Sequence, residues 1–176
     1  GVQTCALPIY ALPVFITGGS MIETVYFDHS TYTKAPQKFE AGTQMAAQVV
    51  GLAAAVNYLN RVGMPAIAEH EHLLTEQALA ALNELKGVRI VGPENAHNRG
   101  SAISFVVDSL HPHDVGQVLD SRGVAVRVGH HCAWPTCRRF EVPATTRASF
   151  YLYNEASEIE SLTSGIVAAQ KFFGVL

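Results

Sequence analysis

After Gly63-Met-Pro65 the hydrophobic periodicity switches repeatedly between helix and strand, and this order limits the folds open to the chain. Ile67, Leu74, Ala78, Ala81, Leu82 and Leu85 recur at helical spacing, and Gly87 marks the stop. Val88-Arg-Ile-Val91 reads as a strand ended by Gly92-Pro93, residues 94–100 as a polar loop, and Ser101 to Val107 as a second strand. Pro112 and Asp114 suit the first turn of a helix that reaches about Ser121 and stops at Gly123. Apolar runs at residues 123–128 and 147–153 predict two more strands around a loop. Asn154 is placed to cap a last helix with a stripe of Ile159, Leu162, Ile166, Ala169 and Phe173. The order helix, strand, strand, helix, strand, loop, strand, helix predicts that residues 63–176 form a small α+β domain, an antiparallel sheet covered by helices.

Residues 10–62 read differently, as the tail of a larger preceding domain. A β-prone run from Met21 to Phe27 and a polar turn at residues 31–36 lead to a helix expected from Gln44 to Arg61. The Gly42-Thr43 pair before that helix has two readings: Thr43 as its N-cap, or a backbone-and-hydroxyl site for an anion. Apolar surface on this tail predicts poor solubility. Residues 1–9 fit neither part; they resemble a translated sequencing adapter and are expected to be non-native, which takes Cys5 out of any chemical argument.

Composition narrows the function classes. With 48% hydrophobic residues the chain can bury a core, while 12 basic against 15 acidic side chains leave no electrostatic footprint for nucleic acid or an anionic membrane. No apolar run reaches a membrane span. Three cysteines make no disulfide framework, which fits a reducing, cytoplasmic compartment.

The chemistry concentrates in Arg127-Val-Gly-His-His-Cys-Ala-Trp-Pro135. Positive charge from histidine and arginine near Cys132 favours its thiolate, the nucleophilic form, and the flanking strands would present it from a loop. Taken by type alone, a cysteine is more often a small buried hydrophobe. A zinc site from His130, His131, Cys132 and Cys137 is a poorer reading, since adjacent ligands suit one tetrahedral ion badly and no second half is present. Cys137 is read as a bystander, because a disulfide to Cys132 would block the nucleophile. Trp134 is expected beneath the loop and His70 and His72 in solvent. The His111–Asp114 group is expected to be structural.

Val126-Arg-Val-Gly-His-His-Cys-Ala-Trp-Pro135, followed by Arg147-Ala-Ser-Phe-Tyr-Leu-Tyr-Asn154, closely resembles the C-terminal part of class V aminotransferase-fold cysteine desulfurases of the sulfur-mobilisation type. Gly18-Gly-Ser-Met-Ile22, Lys38-Phe-Glu-Ala-Gly-Thr43 and His111-Pro-His-Asp-Val115 support it, in family order from about Thr17 to Phe173. The resemblance implies an α/β pyridoxal-phosphate transferase of fold type I, a homodimer in which Thr43 reaches the cofactor phosphate of the partner subunit. It implies that L-cysteine is converted to alanine, with its sulfur left on Cys132 as a persulfide for a scaffold protein of iron–sulfur assembly. Arg147 would hold the substrate carboxylate, Arg127 would add positive field, and His131 would tune Cys132 or relay a proton. No metal is implied.

Two departures stand out. Gln44-Met45 replaces the family's usual Pro-Asn, and none of Lys34, Lys38, Lys86 and Lys171 sits in the setting of the family's cofactor lysine. Residues 1–176 alone are therefore expected neither to bind the cofactor covalently nor to turn over. Selenocysteine lyase, which shares the fold, remains an alternative, as does a non-catalytic docking or dimerisation module; a kynureninase-like or plain aminotransferase member would not need the thiol.

Overall fold

The computed structural model describes residues 6–176 and divides into two compact units, with the boundary between Tyr58 and Leu59. Cys5 and most of the segment expected to be non-native lie outside the described residues. No described helix is long and apolar enough to cross a membrane.

The first unit holds α1 (Ala6–Ala11), an antiparallel hairpin of β1 (Ile22–Val25) and β2 (Ser30–Tyr32), a 3-10 turn at Gln37–Phe39, and most of α2 (Ala46–Val62). Met21 is its buried anchor, and its carbonyl accepts from Thr33 N–H at 2.9 Å and from Thr33 Oγ1 at 3.2 Å. Lys38 Nζ donates to the Leu12 carbonyl at 2.7 Å. Helix α2 has no buried residue, and Met45, Val49, Val50, Leu52 and Val56 along it are exposed. It begins at Ala46, three residues after Thr43, so Thr43 is not its N-cap. Thr43 sits exposed in the bend after Gly42, whose N–H donates to the Gly19 carbonyl at 2.8 Å.

The second unit runs α3 (Met64–Asn83), β3 (Val88–Ile90), β4 (Ala102–Val107), α4 (Pro112–Ser121), β5 (Arg127–Gly129), α5 (Trp134–Arg139), β6 (Thr145–Ser149) and α6 (Ala156–Phe172). Its strands form one antiparallel sheet in the order β3-β4-β6-β5. Alternation along β4 turns Ile103, Phe105 and Val107 inward, where they meet Leu74, Ala78 and Leu82 of α3, Val115 and Leu119 of α4, and Ile159, Leu162 and Ile166 of α6. The expected order and antiparallel sheet are present, with shorter strands. Of the run at 123–128 only residues 127 and 128 pair, with the strand extending to Gly129, and β6 starts two residues early and ends where Phe150 N–H turns to the Ser101 carbonyl at 2.9 Å.

The last helix corrects a second expected cap. Its N-cap is Glu155, whose N–H donates to Glu158 Oε2 at 2.8 Å; Asn154 Nδ2 donates to that same oxygen at 2.9 Å. These two donors, Asn154 first, hold the Glu158 carboxyl below its usual range. Asn154 Oδ1 accepts from Tyr151 N–H at 2.8 Å, and its carbonyl lies 3.0 Å from His70 Nε2. His70 is accordingly half-buried, and only His72 faces solvent as expected.

Two helices approach closely through glycine. A Cβ on Gly116 of α4 would lie 2.6 Å from Val128 Cγ1 of β5, and one on Gly165 of α6 would lie 2.5 Å from Leu119 Cδ2.

Phe105→Ala, which empties the centre of this core, is expected to cost about 3–5 kcal/mol in urea unfolding, whereas Val49→Ala on exposed α2 should change stability by no more than about 0.5 kcal/mol. A Phe105→Ala loss as small as that of Val49→Ala would show that the core is misplaced.

Candidate functional site

Strand β5 ends at Gly129 with φ of 121°, a value glycine takes without steric cost. The chain then turns over four residues, and Ala133 N–H donates to the His130 carbonyl at 2.8 Å. Both central residues are left-handed, His131 at φ 54° and Cys132 at φ 59°, where L side chains rarely sit. Cys132 stands exposed on this turn. Its N–H donates to His130 Nδ1 at 3.1 Å, and the His130 ring stacks on Trp134 with centroids 4.3 Å apart. Trp134 is 52% exposed, so it lies over the outside of the loop and not beneath it.

Helix α5 follows at once and buries Cys137, whose thiol lies 4.0 Å from the His130 carbonyl. Cys132 and Cys137 are both free, so among the described residues no disulfide blocks Cys132.

The period-two alternation of β6 supplies the rest. Thr146 and Ala148 are buried towards the helices, with Thr146 Oγ1 donating to the Pro112 carbonyl at 3.3 Å. Thr145 and Arg147 therefore share the other face. There Arg147 pairs across the ladders with Ser104 of β4 on one side and Arg127 of β5 on the other. Two guanidinium groups directly opposite each other repel unless an anion lies between them. Among the described residues no carboxylate comes within ion-pair distance of either arginine.

A cleft of about 230 Å³ opens on this face, lined by Ser104, His130, His131, Cys137, Thr145 and Arg147 together with Val91, Ala133 and Thr136. Arg127 and Cys132 stand outside its lining. Arg147 Nε and His131 Nδ1 are buried without a hydrogen-bond partner. His131 Nε2 lies 2.8 Å from Thr145 Oγ1. The sequence reading missed Thr145 and Ser104, although the spacing of Thr145 to Arg147 in a strand was signal enough for the first.

Burial, then the charges of Arg147 and Arg127, lower the pKa of His131, and hydrogen bonding at Thr145 opposes them only in part. His131 is thus neutral at pH 7, which corrects the expectation that both imidazoles lend positive charge to the thiol; the permanent cations here are the two arginines. An NMR titration of the His131 ring should give a midpoint below 6.5, and Arg147→Gln should move it upward by removing a cationic neighbour. The sign follows for stability. The unfolded chain takes up this proton near pH 6.5 and the folded chain only at lower pH, so the stability tied to neutral His131 is complete above 6.5 and falls as pH drops below it. A His131 midpoint at or above 6.5 would contradict the cleft geometry.

The aminotransferase class-V family matches residues 8–162. A probable cysteine desulfurase of Streptomyces coelicolor is 58% identical over 163 residues, 93% of this chain and 39% of the relative. Among solved structures, the cysteine desulfurase CsdA of Escherichia coli, in its S-sulfonic acid form, superposes with a TM-score of 0.81 at 31% identity, covering 93% of this chain and 40% of that one. An apo cysteine desulfurase from Thermococcus onnurineus NA1 gives 0.78 at 38% identity, over 90% and 39%. The chain thus spans about two fifths of the length of these relatives, and the expected fold type I of pyridoxal-phosphate transferases holds. Match and fold agree: the chain belongs to the aminotransferase class-V family.

Proposed function

We propose that the chain is the C-terminal portion of a pyridoxal-phosphate-dependent cysteine desulfurase, with residues 10–62 ending its large cofactor-binding domain and residues 63–176 forming its small domain. One observation carries the reading: an exposed thiol, Cys132, stands on a left-handed turn at the end of the strand that pairs Arg127 with the unneutralised Arg147.

Arg147 holds the carboxylate of L-cysteine, since a guanidinium fork matches two carboxylate oxygens and its buried Nε lacks a partner. Arg127 adds positive field. The Cys132 thiolate attacks the substrate sulfur; an S–S bond forms as the Cβ–S bond breaks, leaving a persulfide on Cys132. The electron pair left on carbon takes up a proton, which gives alanine. Neutral His131, a residue of the cleft lining, is suited to carry that proton.

Pyridoxal phosphate, when bound, supplies the electron sink for this bond cleavage. The residues present fit its surroundings: the cleft suits the carboxylate end of a bound amino acid, and the exposed Thr43 hydroxyl suits the phosphate held by the partner subunit of a homodimer. Neither Lys86 nor Lys171 of the second unit lines the cleft, and neither Lys34 nor Lys38 stands in the sequence setting of the family's cofactor lysine, so the anchoring lysine is assigned to the part of the protein that this chain does not span. The exposure of Cys132 suits delivery of sulfur to a scaffold protein of iron–sulfur assembly in the cytoplasm.

The test is to incubate the whole protein with L-cysteine and weigh the peptide that contains Cys132, which should gain one sulfur atom. Cys132→Ala should lower alanine formation by on the order of a hundredfold or more. Arg147→Gln should raise KM for L-cysteine by about ten- to a hundredfold, from the loss of charged hydrogen bonds. Undiminished turnover in Cys132→Ala would sink the desulfurase assignment and favour selenocysteine lyase, which depends less on the thiol.

A further inference from the structure

Cys132 and His131 occupy a backbone conformation that non-glycine residues seldom adopt, at φ 59° and 54°. Such a turn persists only where its surroundings hold it. The described contacts on it converge on His130. Its carbonyl accepts Ala133 N–H and closes the turn. Its Nδ1 accepts Cys132 N–H at 3.1 Å, and its ring is braced against Trp134 at 20° between planes. The neighbouring His131 takes no part in this, since its Nε2 goes to Thr145 and its Nδ1 is buried without a partner. The two adjacent histidines thus serve different ends.

We propose that His130 is the positioning residue of the site: its Nδ1 captures the Cys132 amide and so sets the direction of the Cα–Cβ bond that carries the thiol. This rests on the reading of Cys132 as the sulfur-accepting nucleophile. To accept this N–H, Nδ1 must be unprotonated, so the neutral ring carries its proton on Nε2. His130 acts through the backbone of its neighbour and touches no reacting atom.

Three substitutions separate the acceptor from the stack. His130→Asn keeps an acceptor, because an asparagine carbonyl can take the N–H two residues on, and lacks the ring. His130→Phe keeps a ring over Trp134 and lacks the acceptor; His130→Ala lacks both. By NMR, amide–water exchange at Cys132 in this chain should be about five- to tenfold faster in the Phe and Ala variants and close to the parent value in Asn. In the whole protein, kcat for alanine formation should fall by a similar factor of about five to ten in Phe and Ala and recover in Asn.

A Cys132 amide that exchanges as slowly in His130→Phe as in the parent overturns the proposal, as does an Asn variant no better than Phe. Loss of helical circular dichroism in all three variants would also overturn it, making His130 a packing residue. A failure of the parent reading looks different: Cys132→Ala would retain activity while the exchange rates still divided by acceptor.

Discussion

The antiparallel pairing of β4 with β6 governs the second unit, because these strands have two working faces. Inward, Ile103 and Phe105 of β4 and Ala148 of β6 join the core beneath the helices. Outward, Ser104 and Arg147 are brought opposite each other in the same register. A slip of one residue would send Arg147 into the apolar core and bring Ala148 out into the cleft. The cost of burying an unpaired guanidinium therefore guards the register. Folding energy and site geometry are one constraint here, since packing the helices fixes where the arginine points.

Much of this architecture was legible in the chain. Helix stripes such as Leu74, Ala78 and Leu82, and runs such as residues 101–107, carry periods that depend only on local geometry. What escaped depends on partners distant in sequence or on a choice among near neighbours. Asn154 is a good capping residue, but its side chain serves Tyr151 and Glu158, and Glu155 opens the helix. His70 reads as a surface residue, and its hydrogen-bond partner lies 84 positions away. Cys132 and Arg147 were recognisable from their motifs, whereas the neutrality of His131 was not. It depends on burial and on the Arg127–Arg147 register, which no local pattern encodes.

The electrostatics of the site follow from the same register. Arginine keeps its charge throughout the physiological pH range, so the field from Arg127 and Arg147 does not vary with pH there. Histidine in that field is pushed to the neutral form, with one nitrogen able to donate and the other to accept. The site thus sets fixed positive charge beside an uncharged imidazole. Three of the four residues weighed as a tetrahedral metal set have other surroundings in the structure. His130 is engaged by a backbone amide, His131 by a hydroxyl and Cys137 by burial in α5.

The contact between Gly116 and Val128 reaches beyond packing. Only a hydrogen atom separates α4 from the β-branched side chain one residue before Gly129, where the thiol-bearing turn begins. Because valine is stiff about χ1, it cannot swing aside for a larger neighbour. Drift at position 116 is thereby tied to drift at position 128. A lineage that enlarges the first must shrink the second, so the two should co-vary among descendants although 12 positions separate them in the chain.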